Sequence, residues 1–343
     1  MRLVLLILTL LMLARSASAD SLLVLPANTT NNPVQSYATA ELVSTFATAD
    51  TYMRAFSYGA TTLASTVRPW ATYPGSLDFT DCANLDVLSG WAKANAIGQG
   101  YDPDAYDHLL ILTPVFANCV PHGPTGPTPP LQGRFSLGGA LHALTHELGL
   151  AHSRGEACYI TPQGVTSCTI HKGGETLSIT GSGLAGPPAL DKIRLGWMDQ
   201  PGLPRSVTGL VGAFTLEPVE LPLTPTGIVA LIVPSADNTS WLVIEAHTSP
   251  IRGAAVGAVL RRAAVLNGVP DPDGNILLDM DPVSSGSKTM LGAGEFFVDA
   301  FRRVIVAVES LSADGATVLI TPCDGTCPAP PPPPPPPPPG GGR

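Results

Sequence analysis

The stretch that decides the interpretation of this sequence is residues 141–153, which read LHALTHELGLAHS. His142 and His146 stand four positions apart, so on a helix both imidazoles point from one face. Gly149 allows the helix to end or bend, and the chain can then bring His152 back towards the same point. Three neutral imidazoles at this spacing suit a catalytic Zn²⁺ site, because they leave the fourth coordination position open for water.

The alternative is that these are ordinary histidines near a helix end, since two histidines four residues apart recur by chance. Here a third histidine and the intervening glycine also fit, in a chain that holds only seven histidines. The pattern therefore favours a metal site. The other histidines are predicted to be surface or loop residues rather than ligands: His108, His122, His171 and His247.

The stretch resembles the metzincin pattern H-E-x-x-H-x-x-G-x-x-H, which it matches at His142, His146, Gly149 and His152. The metzincins are zinc metallopeptidases. The resemblance implies that the three histidines hold the zinc and that an α+β domain carries the active-site helix.

Three further segments resemble the gametolysin/autolysin peptidases, algal metzincins that digest extracellular matrix glycoproteins. Residues 106–108 (YDH) lead an apolar strand like the one before the family's active-site helix. Residues 193–197 (IRLGW) resemble its K-L-G-W motif, and the β-rich stretch up to residue 320 resembles its C-terminal domain. The implied substrate or ligand is a matrix protein or glycoprotein, and a proline-rich tail suits proteins of that matrix.

The largest departure from the family is Ala143, which stands where the family has the glutamate that acts as general base. Loss of a positioned acid–base group costs about two to four orders of magnitude in rate. Two other carboxylates lie nearby. Glu147 is about 100° from His146 around a helix axis, so a surface or supporting role is expected. Glu156, on a loop predicted after the third histidine, is the candidate substitute base.

A second departure lies at residues 178–181 (SITG), where Thr180 replaces the methionine of the family's Met-turn. That methionine packs beneath the metal and is not a ligand. The two departures, Ala143 and Thr180, leave three hypotheses. The first is a zinc endopeptidase with impaired catalysis, the second is a pseudopeptidase that binds matrix glycoproteins, and the third is a decayed or truncated product with neither activity.

The N-terminus predicts a secretory signal peptide. Arg2 is the positive region, residues 3–13 are the apolar region and residues 17–19 (ASA) form a cleavage site. The apolar run is too short for a membrane anchor. No later segment is apolar enough to cross a bilayer, so a secreted protein without stable membrane insertion is expected.

The cysteine count agrees with export, because an even set of six cysteines is typical of disulfide-bonded secreted proteins. A cysteine-rich zinc site is disfavoured by the absence of CxxC pairs. Six cysteines can pair in many ways, and chain order suggests Cys82–Cys119, Cys158–Cys168 and Cys323–Cys327. Sequons at Asn28 and Asn238 could carry glycans.

The formal net charge of −9 and the absence of a basic run exclude nucleic acid as an expected partner. We expect an α+β fold in four segments. These are a signal peptide (1–19), a metzincin-like peptidase domain (20–200), a β-rich, sandwich-like domain (201–322) and a Cys/Pro-rich tail (323–343).

Helical spacing predicts helices over 44–56, 86–97 and 135–150. In the first, Phe46, Met53 and Phe56 are candidate buried residues, and in the second the apolar repeat is Val87, Trp91 and Ala94. Strands are predicted at 22–25, 60–67 and 108–113, mostly loop between 151 and 190, and seven short strands between 214 and 320.

Overall fold

The computed structural model describes most of the chain between residues 19 and 323, as an α+β protein with more strand than helix. The described ranges are 19–33, 37–115, 131–132, 136–161, 164–172, 175, 177–181, 183, 185–199, 205–208, 211–220, 224, 227–249, 254–266, 269–271, 274–278, 289–299 and 301–323. The predicted signal peptide up to residue 18, the proline-rich tail from residue 324 and His122 lie outside them. By backbone packing the chain has two compact units, Met1–Ala151 and His152–Arg343. The four predicted segments stay predictions.

The first unit is built on a parallel sheet. Its strands are β1 (Asp20–Thr29), β2 (Leu63–Val67), β3 (Ala71–Tyr73), β4 (His108–Thr113) and β5 (Leu131–Gln132). They lie in the order β2-β1-β4-β5, β3 pairs with the end of β1, and these pairs are all parallel. The helices are α1 (Thr39–Phe56), α2 (Ala83–Gly98) and α3 (Leu137–Glu147), with a 3₁₀ turn at Pro103–Ala105. These elements confirm the predicted strands and helices of this region.

Strand β1 lies inside the sheet and is buried over most of its length. A strand of a parallel sheet that is covered on both faces is expected to be a continuous apolar run, as residues 22–25 are. Leu23 and Leu25 share a core cluster with Leu85 of α2 and Ile111 of β4. This packing, together with the pairing of the two strands, holds β4 beside β1.

Helices α1 and α2 differ in how well their buried side chains were predicted. In α1 the predicted Phe46, Met53 and Phe56 are all buried, which confirms that prediction. In α2 the predicted repeat is correct only in part, because Trp91 packs against the core cluster whereas Val87 is 45% exposed and Ala94 is also exposed. The residues that α2 buries are Leu85, Leu88, Ala92 and Ala96.

The second unit is built on two sheets. Its elements are β6 (Arg154–Thr161), β7 (Gly164–Lys172), α4 (Ala189–Arg194), β8 (Arg205–Thr208), β9 (Gly212–Leu216), β10 (Ile228–Pro234), β11 (Ser240–Ser249), β12 (Ala254–Leu266), β13 (Val269–Pro270), β14 (Ile276–Leu278), β15 (Phe296–Asp299), β16 (Val304–Ser312) and β17 (Gly315–Pro322). The larger sheet has the order β7-β6-β14-β12-β11-β10-β8, with β13 beside β12, and the smaller has the order β15-β16-β17-β9. The seven strands predicted between 214 and 320 are confirmed. Both sheets contribute to one hydrophobic core cluster, with Ile244 and Leu260 from the larger sheet and Val306 and Val318 from the smaller.

The prediction that residues 151–190 are mostly loop is wrong. Strands β6 and β7 form an antiparallel hairpin there, and β6 also pairs in parallel with β14. The Thr and β-branched content of this stretch suits strands, and the second partner of β6, β14, comes from far along the chain. Strands that precede and follow residue 200 therefore belong to one sheet.

Two further predictions concern the environment of the chain. Cys82 and Cys323 each take part in a disulfide bond. The backbones of Cys158 and Cys168 lie opposite each other on β6 and β7. Cys119 and Cys327 lie outside the described residues, so the pairing stays a prediction. Within the part of the chain that the structure describes, no helix has the length and apolar character needed to cross a membrane.

Candidate metal centre

Helix α3 carries the first two histidines and ends just after them. It begins at Ser136, whose hydroxyl accepts a hydrogen bond from the N–H of Gly139 at 3.1 Å. At its other end Gly149 adopts a left-handed φ of 82°. The N–H of Gly149 donates to the carbonyl of His146 at 2.8 Å, and that of Leu150 donates to Thr145 at 3.0 Å. These are the two hydrogen bonds of a Schellman cap, which reverses the chain after the helix.

The reversed chain brings the third histidine to the first two. One ring nitrogen from each of His142, His146 and His152 lies within 4.8 Å of the others. The first two side chains are half-buried and the third is exposed. The structure thus brings together all three residues that the sequence predicts as ligands, at a place that solvent reaches.

Hydrogen bonding fixes the tautomer of His146. Its Nδ1 lies 2.7 Å from the carbonyl oxygen of Leu150. A carbonyl can only accept, so Nδ1 carries the proton and Nε2 keeps its lone pair. A histidine that donates its other nitrogen to a backbone carbonyl is the arrangement of metal-binding histidines in general, because it orients the ring and raises its basicity.

The spacing of the imidazoles fits a zinc ion. The Nε2 atoms of His142 and His146 are 3.0 Å apart, and the two rings meet edge to face. Two nitrogens about 2.0–2.1 Å from a tetrahedral Zn²⁺ are separated by about 3.3 Å. The observed separation differs from this by a few tenths of an ångström, which small ring rotations supply.

The neighbouring carboxylate on the helix is engaged elsewhere. Burial raises the pKa of Glu147, while a hydrogen bond from the backbone of Leu109 and the charge of Lys93 oppose the rise. The carboxylate thus contacts β4. Ala143, at the position of the missing base, is 2% exposed.

The other candidate base is placed only by its backbone. Glu156 lies in β6, opposite Ile170 of β7 and beside Leu278 of β14. It therefore stands on a strand and not on the loop that was predicted. Its side chain is outside what the structure describes, so its role as a substitute base stays a prediction.

Residues 178–181, predicted as the counterpart of the Met-turn, form a turn closed by a hydrogen bond from the N–H of Gly181 to the carbonyl of Ser178 at 3.1 Å. Thr180 is fully buried in this turn. Its carbonyl accepts from the N–H of Ser153 at 3.0 Å, and its hydroxyl lies 2.7 Å from that of Ser153. The turn is therefore bonded to the residue that directly follows His152.

Behind this turn lies a cluster of buried charged residues that the sequence analysis missed. Its members are Glu175, Asp191, Lys192, Glu220, Glu245, His247 and Arg261. Glu175 accepts hydrogen bonds from the backbone of the turn, and Arg261 lies between Glu175 and Glu245. Nothing in their spacing along the chain indicates that they would meet.

His247 corrects a prediction, since it is buried and not a surface or loop residue. It lies in β11, and its Nδ1 is 2.5 Å from the carboxylate of Glu220. Burial alone would lower the pKa of His247, but Glu220 and Glu245 raise it to about 10. Burial also opposes ionisation of Glu245, yet Arg261 and His247 lower its pKa to about 2. His247 thus forms buried ion pairs with Glu220 and Glu245.

Asp191 and Lys192, at the start of α4, have pKa values that are shifted towards their neutral forms. Burial raises the pKa of Asp191 to about 6 and lowers that of Lys192 to about 7. The Lys192 ammonium donates to the carbonyl of Val219 at 2.6 Å. His108 also corrects the prediction of a surface or loop residue, because it lies in β4 with its side chain only 12% exposed. His171 lies in β7, where only its backbone is described.

The chain matches no protein-family model, and a comparison with curated proteins also finds no match. The interpretation of the site therefore rests on its own residues.

Proposed function

We propose that this chain is a secreted zinc-binding protein of the gametolysin/autolysin kind that acts on, or binds, glycoproteins of the extracellular matrix, with impaired catalysis. The single observation that carries the proposal is the convergence of one ring nitrogen each from His142, His146 and His152. Imidazoles are ligands that Zn²⁺ prefers, and three of them are the protein ligands of many catalytic zinc sites.

The three histidines would hold the ion, and the surroundings of His146 and His152 suit this in different ways. His146 is oriented by Leu150, which leaves its Nε2 for the metal. His152 is exposed, so the ion would remain open to water and to a substrate. A bound Zn²⁺ supplies Lewis-acid polarisation of a carbonyl and lowers the pKa of a coordinated water.

Proton transfer is the step for which this site lacks a residue. Ala143 carries no ionisable group, and Glu147 is hydrogen-bonded to the backbone of Leu109. Without a base the expected rate is about two to four orders of magnitude below that of a complete site. Weak endopeptidase activity is the first candidate function.

A non-catalytic pseudopeptidase is the second candidate, and the hydroxyl-bonded turn at Thr180 favours it together with Ala143. In the family the first position, here Ala143, is the general base, and the second, here Thr180, packs beneath the metal. In that case the zinc would stabilise the fold, and the protein would recognise matrix glycoproteins without cutting them. The signal peptide and the proline-rich tail support an extracellular place for either candidate.

The test compares four purified proteins for zinc content and for cleavage of casein and gelatin: the wild type, Ala143→Glu, Ala143→Gln and His146→Ala. The Gln variant is the matched control, because it adds the same bulk at this buried position without a base. An inert or weak wild type with an active Glu variant would support the proposal. Cleavage by the wild type that survives His146→Ala would contradict it, since that activity would not depend on the metal site.

If the wild type cleaves and His146→Ala abolishes cleavage, the pseudopeptidase candidate fails and Glu156→Gln becomes the next variant. If the wild type and both position-143 variants hold zinc and bind matrix glycoproteins but none cleaves, the endopeptidase candidate fails.

A further inference from the structure

Ser153 is buried, whereas the histidine before it lies at the surface. The Ser153 side chain is 1% exposed, whereas His152 is exposed. Two hydrogen bonds join Ser153 to Thr180, one from its backbone N–H to the carbonyl at 3.0 Å and one between the hydroxyls at 2.7 Å. The carboxy-terminal side of His152 is thus tied to a buried turn.

The amino-terminal side of His152 is also fixed. The Schellman cap at Gly149 sets the direction of the chain, and Leu150 is fully buried. Between Leu150 and Ser153 only Ala151 and His152 remain, and Ala151 is 9% exposed. The backbone of the third histidine is therefore clamped at both ends, although its side chain lies at the surface.

The turn that holds Ser153 is itself rigidly supported. The Glu175 carboxylate accepts hydrogen bonds from the N–H groups of Leu177 and Ser178 at 2.8 and 3.0 Å, and from the Ser178 hydroxyl. A Cβ atom at Gly181 would lie 2.4 Å from that carboxylate, so only glycine allows this approach. The Ser178 hydroxyl lies 2.9 Å from that of Thr180. A chain of hydrogen bonds therefore runs from Glu175 through Ser178 and Thr180 to Ser153.

We propose that the Ser153–Thr180 hydroxyl pair is a positioning element that fixes the imidazole of His152 for metal binding, and that Thr180 does this through hydrogen bonds where a methionine would act by packing. The inference rests on the proposed zinc site. The hydroxyl pair is not among the predicted ligands. It acts by holding the backbone of the third ligand, as outer-shell partners of metal ligands commonly do.

The test measures zinc affinity by competition with a chelator in Thr180→Val, Thr180→Ser and Ser153→Ala. Valine has nearly the shape of threonine but no hydroxyl, so Thr180→Val should weaken zinc binding about ten- to a hundredfold. Ser153→Ala should weaken it similarly, and Thr180→Ser, which keeps the hydroxyl, should stay close to the wild type. The control is Thr113→Val, because among the described residues the buried hydroxyl of Thr113 has no hydrogen-bond partner.

A merely structural role is distinguished by combining the change with removal of the ligand. If Thr180 acts through His152, Thr180→Val should cause no further loss of zinc affinity in a His152→Ala background. If Thr180 only supports the fold, the two losses should add. The apo proteins are compared by thermal unfolding, so that a variant that fails to fold is replaced by Ser153→Ala in the same cycle.

The failures of the two proposals differ. A wild type that binds no zinc overturns the proposed function. A wild type that binds zinc with an affinity unchanged in both Thr180→Val and Ser153→Ala overturns this inference alone. Additive losses with His152→Ala also overturn it.

Discussion

His146 donates its Nδ1–H to the carbonyl of Leu150 at 2.7 Å, so this predicted metal ligand is hydrogen-bonded to the chain that follows its own helix. This hydrogen bond exists because the helix ends at Gly149 and the next residue turns back over the last turn. The cap thus positions two of the predicted ligands. It orients the ring of His146, and it directs the chain towards His152.

Gly149→Ala is expected to lower both stability and zinc affinity. The position has a φ of 82°, and left-handed backbone costs an L-residue about 1–2 kcal/mol. Space is not the cause, since a Cβ there would meet nothing within 4 Å. Chemical denaturation measures the first effect and chelator competition the second. Gly90→Ala, in the middle of α2 and equally open, is the control and should stabilise by up to about 1 kcal/mol. Equal effects of the two changes would contradict the account.

Arg261→Met is expected to destabilise the protein by about 3–5 kcal/mol, because it leaves the buried carboxylates of Glu175 and Glu245 without their shared cation. Denaturant unfolding measures the loss. The control is Arg54→Met on α1, whose side chain is 57% exposed and pairs with Asp50; less than about 1 kcal/mol is expected there. A small effect at Arg261 would show that the buried ion pairs do not form as described.

The stability that His247 contributes is expected to depend on pH. Its folded pKa of about 10 lies above its ordinary value of 6.5. The folded state therefore binds the proton more tightly, and the contribution is fully present below pH 6.5 and disappears as the pH rises through 10. The destabilisation caused by His247→Gln should be larger near pH 6 than near pH 10, as unfolding curves at both pH values will measure. A constant or rising difference would contradict the ion pair with Glu220.

The two sequons are expected to differ in a secretory host. Asn28 is fully buried in β1 and donates its side-chain amide to the carbonyl of Pro33 at 3.1 Å, so the folded strand has no room for a glycan. Asn238 is exposed in the turn before β11, with a φ of 54°. Glycosidase treatment followed by peptide mass analysis should find the modification at Asn238 only. A glycan on Asn28 would contradict the placement of β1.

Much of the first unit could be predicted because its signals are local. The apolar run of β1 and the spacing of Phe46 and Met53 each describe a single element. The face of α2 could not be predicted, since Leu88 and Val87 belong to two equally apolar stripes and only packing against the sheet selects one. The hairpin of β6 and β7 could not be predicted with the same ease, because the strand that joins it to the sheet, β14, lies far along the chain.

The candidate site divides in the same way. The spacing of His142, His146 and His152 carries the prediction, because the helix repeat and one glycine bring them together. The bond between Ser153 and Thr180 could not be foreseen, since it joins two segments whose contact depends on tertiary packing. The buried cluster around Arg261 could not be predicted for the same reason.

The most direct test of the account is the zinc content of the purified wild-type protein beside His146→Ala, by metal analysis after saturation with zinc and removal of loosely bound ions. The account predicts one zinc ion for each wild-type chain, and its loss in a variant that still folds. A wild type that retains no zinc, or a variant that retains as much as the wild type, would contradict the metal centre on which the proposals rest.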